Sequence, residues 1–111
     1  MQPADTANPA IEVRIARISE MEAAFGDAFV ALLGFEQDLD DFEAVQPVIE
    51  VLSSYYGSQE WFEDCEADET GELPADLECG VLGEDLPYDL LVRYHDLAIR
   101  MLEVATRALK S

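Results

Sequence analysis

The stretch Ile11–Phe42, IEVRIARISEMEAAFGDAFVALLGFEQDLDDF, decides the fold. Within it Ile11, Ile15, Ile18, Phe25, Phe29, Leu32, Leu39 and Phe42 recur at steps of three, four or seven. That period places them along one face of a helix. The polar side carries Glu12, Arg14, Arg17, Glu20, Asp27, Asp38 and Asp41, and no sustained alternation competes for a strand. Upstream, Asn8 is an N-cap and Pro9 a first helical residue, a pairing that favours helix initiation. Residues 1–8 read as a loose lead-in.

Gly26 and Gly34 interrupt the helix at a propensity cost of about 1 kcal/mol each, and their position near the apolar stripe suggests close approach of another helix. Pro47 is expected to kink or end it, because proline lacks a backbone donor and clashes with the preceding turn. Val48, Ile49, Val51, Leu52, Tyr55 and Tyr56 resume an apolar face beyond, and Gly57-Ser58 closes that second stretch. Gln59–Glu69 forms a short helix around Trp61 and Phe62. Thr70–Pro74 reads as a turn, and Gly80 and Gly83 bracket another loop. The last helix starts near Asp85 or Pro87. Its buried stripe is Leu90, Leu91, Tyr94, Leu97, Ala98, Met101, Leu102, Ala105 and Leu109, with Arg107 and Lys110 complementing the dipole at its end.

The 111 residues suit one domain. The predicted architecture is an all-α small helical bundle. A long N-terminal helix lies antiparallel to the C-terminal helix, and an irregular acidic middle segment caps the open end.

Charge is the most informative feature. Six Lys and Arg face 25 Asp and Glu, a net charge of −19, yet half the residues are hydrophobic, so this is no disordered acidic tail. Residues 18–92 hold no Lys or Arg at all. The antiparallel arrangement would give one mixed pole and one uniformly anionic pole. Such a surface repels nucleic-acid backbones and anionic membranes, and suits a basic protein partner. The first residues show neither the basic n-region nor the apolar h-region of a secretory leader, which points to the cytoplasm. Cys65 and Cys79 then read as two unpaired thiols, and with a single His95 they complete no structural zinc site.

The segment Tyr55-Tyr56-Gly57-Ser58, Trp61 and Glu66-Ala67-Asp68-Glu69 has a distinctive order. It continues as Leu73-Pro74-Ala75-Asp76-Leu77, Gly80-Val81-Leu82, Glu84-Asp85 and Tyr88-Asp89-Leu90-Leu91. Together these resemble a family of short bacterial proteins known as domain of unknown function 4298. The resemblance runs from about Arg14 to Leu109, and it implies no activity, cofactor or catalytic residue.

Glu60, Glu63, Asp64, Glu66 and Glu69 fall at helical spacings that could gather around a divalent ion. In so acidic a chain the ordinary reading is a solvated face. His95-Asp96 resembles an acid–base pair only on paper, since neighbours on a helix do not face each other. Cys65, between Asp64 and Glu66, is poorly placed as a nucleophile, because adjacent anions disfavour the thiolate. No phosphate loop, nucleophile elbow or triad is present, and no cofactor is expected.

The candidate surface is therefore an interface, formed by Tyr55, Tyr56, Glu60, Trp61, Glu63, Asp64, Glu66, Asp68, Glu69 and Glu72. Aromatics set among acids suit a basic, partly apolar partner, although a small domain also needs its aromatics for burial. The leading expectation is a non-enzymatic acidic interaction module, an adaptor or inhibitor. A carboxylate-based divalent-metal enzyme and a mimic of nucleic-acid charge are the alternatives. The first helix is longer than the last, so Phe25, Phe29, Leu32, Phe35 and Leu39 would form the seam of a homodimer.

Overall fold

Asn8 opens the first helix. Its side-chain Oδ1 accepts from the backbone N–H of Ala10 at 3.0 Å and of Ile11 at 3.4 Å, which satisfies donors that the first helical turn leaves unpaired. The structure, a computed structural model, describes residues 8–111; most of the expected lead-in, residues 1–7, lies outside them. The described residues form three α-helices and no strand: α1 (Pro9–Tyr55), α2 (Gln59–Glu69) and α3 (Asp85–Lys110), with a 3-10 turn at Gly80–Leu82 before α3. The fold is all-α, as the periodicity requires. The chain falls into two compact units, Met1–Ala44 and Val45–Ser111.

Pro47 does not end the helix. It sits inside α1, which continues two further turns to Tyr55. Proline there leaves the Glu43 carbonyl without its usual donor, a disruption of about 3 kcal/mol in a helix interior. Contacts on both sides of the proline offset it. The Gln46 amide donates to the Tyr94 hydroxyl at 3.3 Å, and Ile49 and Leu52 are half-buried. Gly26 and Gly34 also depart from expectation. A Cβ built at either would meet nothing within 4 Å, so neither glycine admits a close neighbour in this chain.

The second unit is organised by α1's last turns and α3's first turns. Gln46 reaches Tyr94, and the Tyr56 hydroxyl donates to the Glu84 carbonyl at 3.1 Å. Ten residues forward along α1 thus correspond to ten backward toward α3, so the two segments run antiparallel. The turn between α1 and α2 needs Gly57, whose φ of 81° lies in the left-handed region. Ser58 then caps α2, its Oγ accepting from the Trp61 N–H at 3.2 Å. At the other end Gly71, with φ 73°, closes a Schellman motif. Its N–H donates to the Asp68 carbonyl, and that of Glu72 to the Ala67 carbonyl. Of the two sequence-based starts for α3, the structure takes Asp85. Pro87 is its third residue, where the missing donor would have been unpaired anyway.

Candidate functional site

Helix α2 carries most of the candidate surface, and its spacing sorts the residues into two sides. Trp61 is the one large side chain buried among the described residues, at 6% exposure. Its indole N–H donates to the Val81 carbonyl at 2.8 Å. The edge-on rings of Tyr56 and Phe62 lie 5.1 and 5.0 Å away. One turn on, the half-buried Cys65 thiol donates to the Leu82 carbonyl at 3.3 Å. Trp61 and Cys65 therefore pin α2 to the 3-10 turn, and Tyr56 is tied to Glu84. Of these two aromatics of the candidate set, Trp61 is buried and Tyr56 half-buried.

The outward side is acidic. Glu60, Glu63, Asp64, Glu66, Asp68, Glu69 and Glu72 are all exposed. Several of them are held locally. The Tyr55 hydroxyl donates to Asp64 Oδ2 at 2.6 Å, Gln59 to Glu63 at 3.1 Å, and the Thr70 hydroxyl to Glu72 at 2.7 Å. Among the described residues none of these acids is ion-paired; the single such contact is His95 with Asp96 at 3.8 Å, both about three-quarters exposed. That pair is a surface pair on α3, where Asp96 shares a shallow surface hollow with Arg93 and Arg100.

The anionic setting shows in the neighbouring groups. Hydrogen bonding to the Asp64 carboxylate, aided by desolvation and by that same charge, pushes the Tyr55 hydroxyl up to about 12. Desolvation first, then the charges of Glu69, Asp64, Asp68 and Glu84, raise the Cys65 thiol. Desolvation and Asp68 raise Cys79 likewise. Both cysteines are free and held in the thiol form, the reverse of what nucleophilic or redox thiol chemistry uses. Among the described residues no three His, Cys, Asp or Glu side chains are gathered closely enough to hold a metal ion.

Phe62, which the sequence groups with Tyr55, Tyr56 and Trp61 among the acids but which was not placed in the candidate surface, is 60% exposed. It shares a helical face with Glu66 and Glu69, four and seven residues on. The signal was present in the spacing. Trp61 and Phe62 are adjacent on one helix and cannot both point inward, and the smaller ring without a donor is the one to leave out.

The class defined by this fold and surface is a small acidic all-helical protein, with a short capped helix pinned by one tryptophan. The chain belongs to the family described as Domain of unknown function (DUF4298), whose model matches residues 18–104. That span contains the whole candidate surface and stops short of the resemblance seen from Arg14 to Leu109. No curated protein matches the chain. No helix among the described residues is long and apolar enough to cross a membrane.

Proposed function

We propose that this protein is a non-enzymatic acidic interaction module, an adaptor or inhibitor, that engages a basic partner protein in the cytoplasm through the outward face of α2 and the turn that follows. One observation carries the reading. Phe62 stands exposed on the same face as Glu66 and Glu69, in a unit whose acids have no ion pair on α2 among the described residues. An exposed aromatic ringed by uncompensated carboxylates supplies both parts of a specific contact. The ring offers an apolar anchor of the kind that dominates interface energetics. The carboxylates steer a cationic partner and repel anionic ones, nucleic acid and anionic membranes included.

The test begins with the protein from host extract that the chain retains at low salt and releases at high salt. Its association kinetics are then measured against two variants. Changing Glu60, Glu63, Glu66 and Glu69 to Lys takes the net charge from −19 to −11, a change of two per position. It should slow association by roughly tenfold or more at low ionic strength and flatten the salt dependence. Phe62→Ala should leave the association rate nearly unchanged and speed dissociation, separating a built contact from charge adhesion. Unaltered kinetics in both variants would remove this face from the mechanism.

A further inference from the structure

Helix α1 carries a seven-residue apolar repeat that one chain covers only at its C-terminal end. Ile11, Ile18, Phe25, Leu32, Leu39 and Gln46 are spaced by seven. Three residues on from these lie Arg14, Met21, Ala28, Phe35, Phe42 and Ile49, with Tyr56 seven further. These are the a and d positions of a seam that seeks a partner helix. In the second unit the seam has one, because Gln46 bonds Tyr94, Tyr56 bonds Glu84 and Ile49 is half-buried. Helix α3 has 26 residues against 47 in α1, so at least 21 residues of α1 lie beyond anything α3 could cover. Near α1's start the seam is bare: Ile18 is 57% exposed, Phe25 66% and Leu32 68%.

We infer that the seam from Ile11 to Leu32 is covered by the same segment of a second copy, running antiparallel to it. The inference stands apart from the proposed function and uses different residues. Three observations favour a second copy over another partner. First, the area fits. Ile11, Ile15, Ile18, Met21, Phe25, Phe29 and Leu32 are each 42–68% exposed. At roughly 180 Å² for a large apolar side chain they present about 700 Å² per copy, close to the ~800 Å² per partner of a standard interface. Second, this is the stretch where self-association is electrostatically tolerable. Residues 9–32 hold four acids (Glu12, Glu20, Glu22, Asp27) and two arginines, whereas residues 36–43 hold five acids and no cation.

Third, the charge order selects the orientation. Arg14 and Arg17 lie toward one end of the segment, and the acid run Glu36–Glu43 follows the other. A two-fold axis near residue 21 sets the Arg14–Arg17 end of one copy against residues 25–28 of its mate, away from the mate's own arginines. A parallel pair would instead set like against like, arginines beside arginines and the acid run Glu36–Glu43 beside its own copy.

Sedimentation equilibrium under reducing conditions should return twice the chain mass of 12.3 kDa. Phe25→Glu should return the single-chain mass while Trp61 fluorescence, a reporter of the second unit, stays unchanged. Reversing Arg14 and Arg17 to Glu takes the charge of residues 9–32 from −2 to −6 and should weaken the dimer by roughly tenfold or more. A wild-type protein that remains a monomer at high concentration overturns the inference. So does a dimer that survives Phe25→Glu. A dimer broken by Phe25→Glu but insensitive to the Arg14/Arg17 reversal overturns the charge argument for this segment.

Discussion

Trp61 is the side chain on which the second unit most depends, and truncating it tests the account of how that unit holds together. The indole is 6% exposed, donates to the Val81 carbonyl at 2.8 Å and meets two aromatic rings edge-on. Removing a buried tryptophan side chain costs about 3–5 kcal/mol in transfer free energy and residual cavity. The second unit spans Val45 to Ser111, or 67 residues (111 − 45 + 1). At 0.05–0.15 kcal/mol per residue its whole stability is about 3–10 kcal/mol. Trp61→Ala should therefore remove most of it. Trp61→Phe keeps a ring against Tyr56 and loses the indole donor and part of the buried area. Because Val81 is 46% exposed, water can take over its carbonyl, and the cost should be only about 1–2 kcal/mol. All four tyrosines lie in this unit, so near-ultraviolet circular dichroism during urea denaturation reports on it alone. The reasoning fails if Trp61→Ala lies within about 1 kcal/mol of the parent, or if Trp61→Phe costs as much as Trp61→Ala.

Pro47→Ala restores a donor for the Glu43 carbonyl and removes a steric conflict worth about 3 kcal/mol, less about 1 kcal/mol for the freer unfolded chain. The net gain of about 2 kcal/mol should raise the urea midpoint, and an unchanged or lowered midpoint would contradict a helix continuous through residue 47. Asp64→Ala should bring the Tyr55 hydroxyl down from about 12 toward its ordinary 10, measured by alkaline absorbance titration; a midpoint that stays high would dismiss the Asp64 carboxylate as the cause. The sign for stability follows from that raised value. The contribution of this bond is fully present below pH 10, and it is lost as pH rises toward 12.

The helices were legible because each carries its own punctuation. Asn8-Pro9 opens α1, Ser58 opens α2 and Gly71 ends it, and all of these act within a few residues of sequence. Pro47 was legible only in part: of a kink or an end, the end is excluded, because the helix runs on to Tyr55. Its local cost is visible in sequence, but Gln46 to Tyr94 spans 48 residues, and the contacts that offset the proline belong to tertiary structure. The aromatic group was only half legible. Adjacency shows that Trp61 and Phe62 must diverge, but what turns Trp61 inward is a carbonyl at Val81, 20 residues away.

The same limit explains why net charge alone misleads about self-association. A chain at −19 looks unfit to pair with its own copy, and if its acids were spread evenly along α1 that judgement would hold. They are not spread evenly. Acid density on α1 is low where the bare seam lies and climbs between Glu36 and Glu43, just before the second unit begins. Screening in salt erases interactions beyond about a nanometre, so what opposes pairing is the charge within that distance of the seam, not the total. Along residues 9–32 that charge is four acids against two arginines, and the antiparallel order keeps the acid runs Glu36–Glu43 of the two copies apart. The acids of α2 are left outward, beside the exposed Phe62, where a cationic surface can meet them.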